Sequence, residues 1–235
     1  MSYELDERFI ARITAPIRTV CEHAPVSLQG QAGVLLHGTT IGAFMVDDGQ
    51  AAIAFSDGKV SMANKPVHMA YRKILSVDRY TRLLISGSPS VGFAHAGALK
   101  AWVGYREDTS NQPVSARAKA RFLARLLMGS LSLTAAGIIC MPILATYDVR
   151  EKKCARIFSL GPDGSEVEHS DWSTSGSGAD IDVWFRKAWR TGLTVDEGIA
   201  LARDTIKTLA PDIDSFSGGK VSIDVIGPDG ARTVE

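Results

Sequence analysis

In the run His37-Gly38-Thr39-Thr40-Ile41-Gly42-Ala43 a threonine directly follows a glycine at the head of a β-forming stretch. A threonine hydroxyl is a weak nucleophile until a neighbouring base takes its proton, and the α-amine of the same residue, with a pKa of about 8 once freed, is such a base. While the Gly38–Thr39 bond is intact that nitrogen is a non-basic amide, so cutting the chain there would create the base and the uncut chain would be silent. Gly38 carries no side chain to obstruct attack by Thr39 Oγ1 on the preceding carbonyl. Taken alone, the same residues better suit a flexible glycine ahead of a strand whose threonines serve packing, and it is the rest of the chain that turns the reading.

Other chemistry is sparsely provided. His23, His37, His68, His95 and His169 form no HExxH pattern and no i, i+4 pair, so no metal site is expected. Cys21, Cys140 and Cys154 are odd in number, far apart and without a CxxC pair, which argues against a disulfide framework or a zinc site. No cofactor is expected. The 26 Lys+Arg are balanced by 26 Asp+Glu, leaving no basic excess to grip nucleic acid or an anionic membrane. Arg117, Arg121 and Arg125 read as a solvated or salt-bridged helix face. The opening Met-Ser-Tyr-Glu-Leu-Asp-Glu-Arg places acids where a secretory signal needs basic residues, and no apolar run reaches the roughly 18 residues of a membrane span. A soluble, cytoplasmic protein is the expectation.

The elements that must position Thr39 follow from periodicity and turn residues. Residues 1–38 read as an arm, with a short amphipathic face at Phe9, Ile10, Ile13 and Ile17 broken by Pro16, Pro25 and glycines; residues 39–235 read as one domain. Strands are expected over 39–46 and 51–55 about an Asp47-Asp48-Gly49 turn, then over 69–77 and 82–86. Helices follow over 89–106, with Pro89 in its first turn, and over 113–132. Strands resume at 138–149, 154–160 and 165–173, helices at 179–191 and 194–209, and a last strand pair at 220–226 and 230–234. Gly-Pro-Asp-Gly occurs at both 161–164 and 227–230, marking two hairpins. Segregated runs of strands and helices argue for an α+β fold, and two antiparallel sheets, each needing its outer face covered, give a four-layer αββα sandwich.

Beyond Thr39, further residues carry a resemblance. Asp57-Gly58 is followed sixteen positions after Asp57 by Lys73 in Arg72-Lys73-Ile74, and fourteen further on by Gly87 in Ser86-Gly87-Ser88. Ser175-Gly176-Ser177-Gly178 precedes a helix, and Asp214-Ser215-Phe216-Ser217-Gly218 forms a DxxSG pattern. With His37-Gly38-Thr39-Thr40-Ile41, these five motifs over residues 37 to about 226 resemble the proteasome β-subunit family of N-terminal-nucleophile peptidases. Thr39 to Asp57 is eighteen positions, about two more than the family interval, and the extra length is placed in the turn at 47–50; a strictly ungapped count would put Phe55 in the aspartate's place.

The resemblance implies an Ntn-hydrolase fold, a propeptide over 1–38 cut between Gly38 and Thr39, and Thr39 as nucleophile. It implies that Lys73 supplies a positive charge to the nucleophile and that Asp57 holds the lysine. The Gly87 amide would donate to the oxyanion, while Ser177, Asp214 and Ser217 surround the freed amine. Val60, Tyr71, Ile85 and Pro89 fall at the family's first-pocket positions, an apolar lining that suits cleavage after hydrophobic residues. Implied partners are peptide or unfolded-protein substrates, further copies in homo-oligomeric stacked rings, and an ATP-dependent unfoldase. A ring retaining its arm as a silent scaffold, or an amidohydrolase acting on small amides, stay open as alternatives.

Overall fold

A computed structural model describes residues 36–37, 39–62, 65–215 and 217–235; most of the expected arm, the Gly38 side of the cleavage junction and Phe216 lie outside the described residues. Strands β1 (Leu36–His37), β2 (Thr40–Val46), β3 (Ala51–Ser56), β4 (Val60–Met62), β5 (Lys65–His68), β6 (Ile74–Asp78) and β7 (Thr81–Leu84) precede helices α1 (Pro89–Ser110), α2 (Ala116–Met128) and α3 (Leu131–Ala135). Strands β8 (Ile143–Tyr147), β9 (Ala155–Leu160), β10 (Glu166–His169) and β11 (Trp172–Gly176) come next. Helices α4 (Asp182–Ala188), α5 (Val195–Asp204) and α6 (Ala210–Ile213) then lead to β12 (Ser222–Gly227) and β13 (Gly230–Thr233). Two five-stranded antiparallel sheets, ordered β11-β2-β3-β12-β13 and β10-β9-β8-β7-β6, lie face to face between helical layers, as the element order requires.

The alternation within single strands builds all three core layers. Ile41, Ala43 and Met45 of β2 and Ala52 and Ala54 of β3 meet Ile143, Ala145, Ala155 and Ile157 between the sheets. Phe44, Ile53, Phe55, Ile223 and Val225 point outward onto Phe185, Ala202 and Ile206 of the second helical layer. Leu144, Phe158 and Leu160 pack on Leu99, Leu123 and Leu127 of the first. Small alanines in the middle layer let the sheets approach closely, while the aromatic payload sits under the helices. Ser115 caps α2, and a reciprocal Thr194–Glu197 capping box starts α5, which is why those helices begin there.

Several elements differ from expectation. The strand anticipated over 69–77 begins only at Ile74, because Met69 O accepts from Lys220 N and Tyr71 N donates to Gly58 O, drawing 69–73 away from the ladder. The single strand anticipated over 165–173 is β10 and β11, at the edges of different sheets; the chain changes sheet at Asp171, whose carbonyl accepts from Met45 N. The helix expected over 113–132 stops at Met128, and α3 is separate. The helix over 179–191 is a 3-10 turn followed by α4, ending where Trp189 turns extended. That over 194–209 is α5 followed by a π-helical turn at Thr205–Leu209, continuing into α6. A small third sheet, β1-β4-β5, was not anticipated; β1 belongs to the expected arm and pairs through Leu36↔Met62 and His37↔Ser61. Among the described residues no helix is long and apolar enough to cross a membrane.

One buried histidine gives the first helical layer an acid limit. His95 on α1 is fully buried, its Nε2 lies 3.0 Å from Ser130 Oγ, and burial pushes its pKa down to about 4. The unfolded chain therefore binds a proton between pH 6.5 and 4 that the folded one does not, and stability present above pH 6.5 is lost as pH falls through that window. The loss reaches about 3 kcal/mol near the lower limit. Urea midpoints measured from pH 7 to 4.5 should fall with this slope, and His95→Gln should flatten it; an unchanged slope would assign the acid sensitivity to other groups.

Candidate active site

Antiparallel pairing of β2 with β3, from Val46↔Ala51 to Ile41↔Ser56, brings Thr39 and Thr40 beside the residue that leaves β3, Asp57. The turn that joins the two strands is tight: Asp47, Asp48 and Gly49 all have positive φ (48°, 51° and 83°). Phe55 is buried in the helix-facing core, and Asp57, just beyond the end of β3, lies beside Thr40.

Asp57 is fully buried and ringed by donors. Its Oδ1 accepts from Thr40 N at 2.7 Å and from Lys73 Nζ at 2.6 Å, and its Oδ2 accepts from Lys59 N at 3.1 Å and Gly218 N at 3.2 Å. Lys73, at the mouth of β6 and 3% exposed, also donates to Lys59 O at 2.8 Å. Burial pulls the Lys73 pKa down, opposed by the charges of Asp57 and Asp214. Burial pushes Asp57 up, opposed by Lys73 and the amides. Each carboxylate lone pair thus has a partner, the condition under which a buried pair survives without uncompensated charge.

A second cluster surrounds the backbone of Thr39. Thr39 N donates to Ser177 Oγ at 3.1 Å, and Thr39 O accepts from Gly178 N at 3.2 Å. Asp214, delivered by the turn after α6, accepts from Ser177 Oγ at 2.6 Å and Ser217 Oγ at 2.8 Å. With both serine protons committed to that carboxylate, the 2.5 Å contact between Thr40 Oγ1 and Ser217 Oγ has the threonine as donor. The adjacent threonines are therefore different. Thr40 is fully buried with its amide on Asp57 and its hydroxyl on Ser217, whereas Thr39 is half-buried with its nitrogen facing Ser177.

Gly87 completes the cleft. It follows β7 with φ +86°, and a Cβ there would lie 2.2 Å from Ile139 O, so only glycine fits. Ser88 N donates to Ile139 O and Met141 N to Ser86 O, leaving the Gly87 N–H out of this pairing. Gly176 is its counterpart, with φ +104° and its virtual Cβ 2.2 Å from Thr39 O. The serines preceding these glycines meet: Ser86 Oγ lies 2.7 Å from Ser175 Oγ, and both reach Met141 O.

Thr39, Asp57, Lys73, Ser177, Asp214 and Ser217 are thus joined in one hydrogen-bonded neighbourhood, through Thr40 as well as directly. Thr40, Lys59, Ser86 and Ser175 were not singled out beforehand; the repeated Ser-Gly-Ser at 86–88 and 175–177 is the signal that marks the last two. Of the pocket positions, Val60 and Ile85 are buried, Ile85 within the core under α1, while Tyr71 and Pro89 are half-exposed. Tyr71 packs edge-on against the exposed Phe93 at 6.0 Å, and burial raises its hydroxyl pKa. Among the described residues no cluster of His, Cys, Asp and Glu is placed to hold a metal ion. Cys140 and Cys154 are free thiols, and Cys21 lies outside the described residues.

Two antiparallel sheets flanked by helices, with a threonine, a lysine–aspartate pair and glycine-rich turns gathered at one end, define an α+β sandwich of the N-terminal-nucleophile hydrolase type. The family model described as proteasome subunit matches residues 35–226, and the chain belongs to that family. It is similar to the proteasome subunit beta of Methanocaldococcus jannaschii, 29% identical over 202 residues, covering 86% of this chain and 87% of the relative. It is 28% identical to that of Methanocaldococcus vulcanius over 84% of this chain and 85% of the relative. Against that of Streptomyces griseus the values are 26%, 84% and 66%.

Proposed function

We propose that this chain is a threonine endopeptidase subunit, made as a precursor and activated by cleavage between Gly38 and Thr39. The observation that carries the reading is the difference between the two threonines: Thr40 is buried and fully hydrogen-bonded, while Thr39 is partly open with its nitrogen on the Ser177–Asp214 relay.

In maturation, Thr39 Oγ1 attacks the Gly38 carbonyl, the chain passes through an ester, and water releases residues 1–38 with a new carboxylate and a free Thr39 amine. In turnover that amine takes the Thr39 hydroxyl proton as Oγ1 adds to the substrate carbonyl. The oxyanion receives the Gly87 N–H, and collapse passes the proton to the departing amine. Water, deprotonated by the same amine, hydrolyses the acyl-threonine ester. The Lys73 ammonium favours the alkoxide-like transition state, and Asp57 keeps that charge in place. The half-exposed Tyr71 and Pro89 form the apolar side of the substrate pocket, backed by the buried Val60 and Ile85. The subunit works in the cytoplasm within a homo-oligomeric stacked ring of the bacterial type, fed by an ATP-dependent unfoldase, because a closed chamber admits only unfolded chains.

The pairing of Leu36–His37 with β4 favours one second reading, a precursor whose arm stays seated and whose ring acts as a silent scaffold. Intact mass and peptide turnover separate the two. Purified full-length chain should lose residues 1–38 and gain hydrolysis of short fluorogenic peptides in step. Hydrolysis by molecules that still begin at Met1 overturns the peptidase mechanism, and a stable full-length product without turnover supports the scaffold.

A further inference from the structure

The layer between the sheets is mainly apolar, with Ile41, Ala43, Met45, Leu84, Ala145 and Tyr147 among its side chains, and the carboxylate of Asp224 on β12 is set into it. Its neighbours Ile223 and Val225 face the helices, so Asp224 points across the sandwich, and it is fully buried. Its Oδ1 accepts from Arg72 Nη2 at 2.7 Å and its Oδ2 from Arg82 Nε at 2.6 Å. Both arginines belong to the opposite sheet or its entry, and each sits next to part of the candidate site. Arg72 immediately precedes Lys73 and its Nε donates to Ile74 O at 3.0 Å, so its guanidinium spans the lysine's own backbone. Arg82 lies on β7, the strand that runs on to Gly87, and also donates to Ala231 O at 2.8 Å. Lys73 O in turn accepts from Ile85 N at 2.9 Å, tying the lysine strand to the glycine strand. Asp224 itself is held in register with Ala54, three residues before Asp57.

Resting on the threonine-peptidase reading, we propose that Asp224 is a positioning residue: through Arg72 and Arg82 it sets the sheet separation at which Lys73 meets Asp57 and Gly87 faces Thr39. A carboxylate suits this because two charge-assisted bonds fix both distance and angle, which an apolar contact in the same layer does not.

Arg72→Ala and Asp224→Asn test it. The Arg72 side chain is 43% exposed, so its removal leaves the core and the Arg82–Asp224 bridge in place. Each variant should lower kcat for a fluorogenic peptide by about ten- to a hundredfold with KM within about twofold, and the double variant should be no worse than Asp224→Asn. Lys73 faces Asp57 and Asp214, and its titration, followed by the 13Cε shift in the unprocessed Thr39→Ala chain, supplies a readout independent of turnover. Removing a cation raises that titration by direct Coulomb action and removing an anion lowers it. Displacement of Lys73 towards water instead moves both variants the same way, towards the ordinary lysine value. Unchanged kcat in Arg72→Ala, or Coulomb shifts of opposite sign, overturns the proposal. If the parent chain shows no Thr39-dependent hydrolysis while both variants shift the titration together, the peptidase reading falls and the positioning role stands.

Discussion

Thr39→Ala should abolish peptide hydrolysis, by on the order of 10⁴-fold or more, and should leave the chain uncut after Gly38. Both losses have one cause, since the same hydroxyl is proposed to open its own peptide bond and the substrate's. Thr39→Ser keeps a hydroxyl and should still mature and turn over, more slowly because the freer side chain is oriented a smaller fraction of the time. Thr40→Ala should behave otherwise. Its hydroxyl donates to Ser217 rather than facing the cleft, so its loss leaves a buried acceptor unmet, costing about 1–3 kcal/mol of stability and a modest share of activity. Hydrolysis rates and intact masses of the three variants check this ordering. Hydrolysis that survives Thr39→Ala but not Thr40→Ala would move the nucleophile one residue along.

That ordering was only partly legible in the sequence, and the reason is physical. The β2–β3 hairpin was visible because alternation and an Asp-Asp-Gly turn are local signals, and that turn is built of three consecutive left-handed residues. Lys73 and Gly87 were singled out through the family resemblance of their motifs, which is read without knowledge of the fold. The partition of roles between Thr39 and Thr40 was not, since it depends on Ser217, 177 positions away. Nor was the split of 165–173: a strand pattern reports pairing propensity but not which sheet receives it. Asp224 was hidden for a related cause. Ser222-Ile-Asp-Val-Ile alternates like a strand with one wet face, yet in the middle of a sandwich both faces are buried, and the polar positions turn towards the other sheet.

Lys73→Met and Asp57→Asn should each destroy activity, and together they should separate catalysis from stability. Lys73→Met leaves a buried carboxylate facing three backbone amides without its cation, and Asp57→Asn leaves a buried ammonium without its anion; each single change should cost about 3–5 kcal/mol. The double variant removes both charges. Burial holds the Asp57 pKa above its unfolded value of 3.8, so its contribution to stability is present below 3.8 and is lost as pH rises through the folded value. Burial holds Lys73 below its unfolded value of 10.5, so its contribution is present above 10.5 and is lost as pH falls through the folded value. Both shifts oppose the charged forms, so replacing the pair by two neutral side chains removes that burial cost, and the double variant should regain parental stability at neutral pH or exceed it. Because neither single variant is expected to mature, denaturation midpoints belong in the unprocessed state, against Thr39→Ala as the reference. Activity should stay lost in the double variant, down at least about 10²–10³-fold, because neutral side chains that pack well offer no charge to the transition state. Recovery of hydrolysis along with stability would show that the pair holds the fold and does nothing for the reaction.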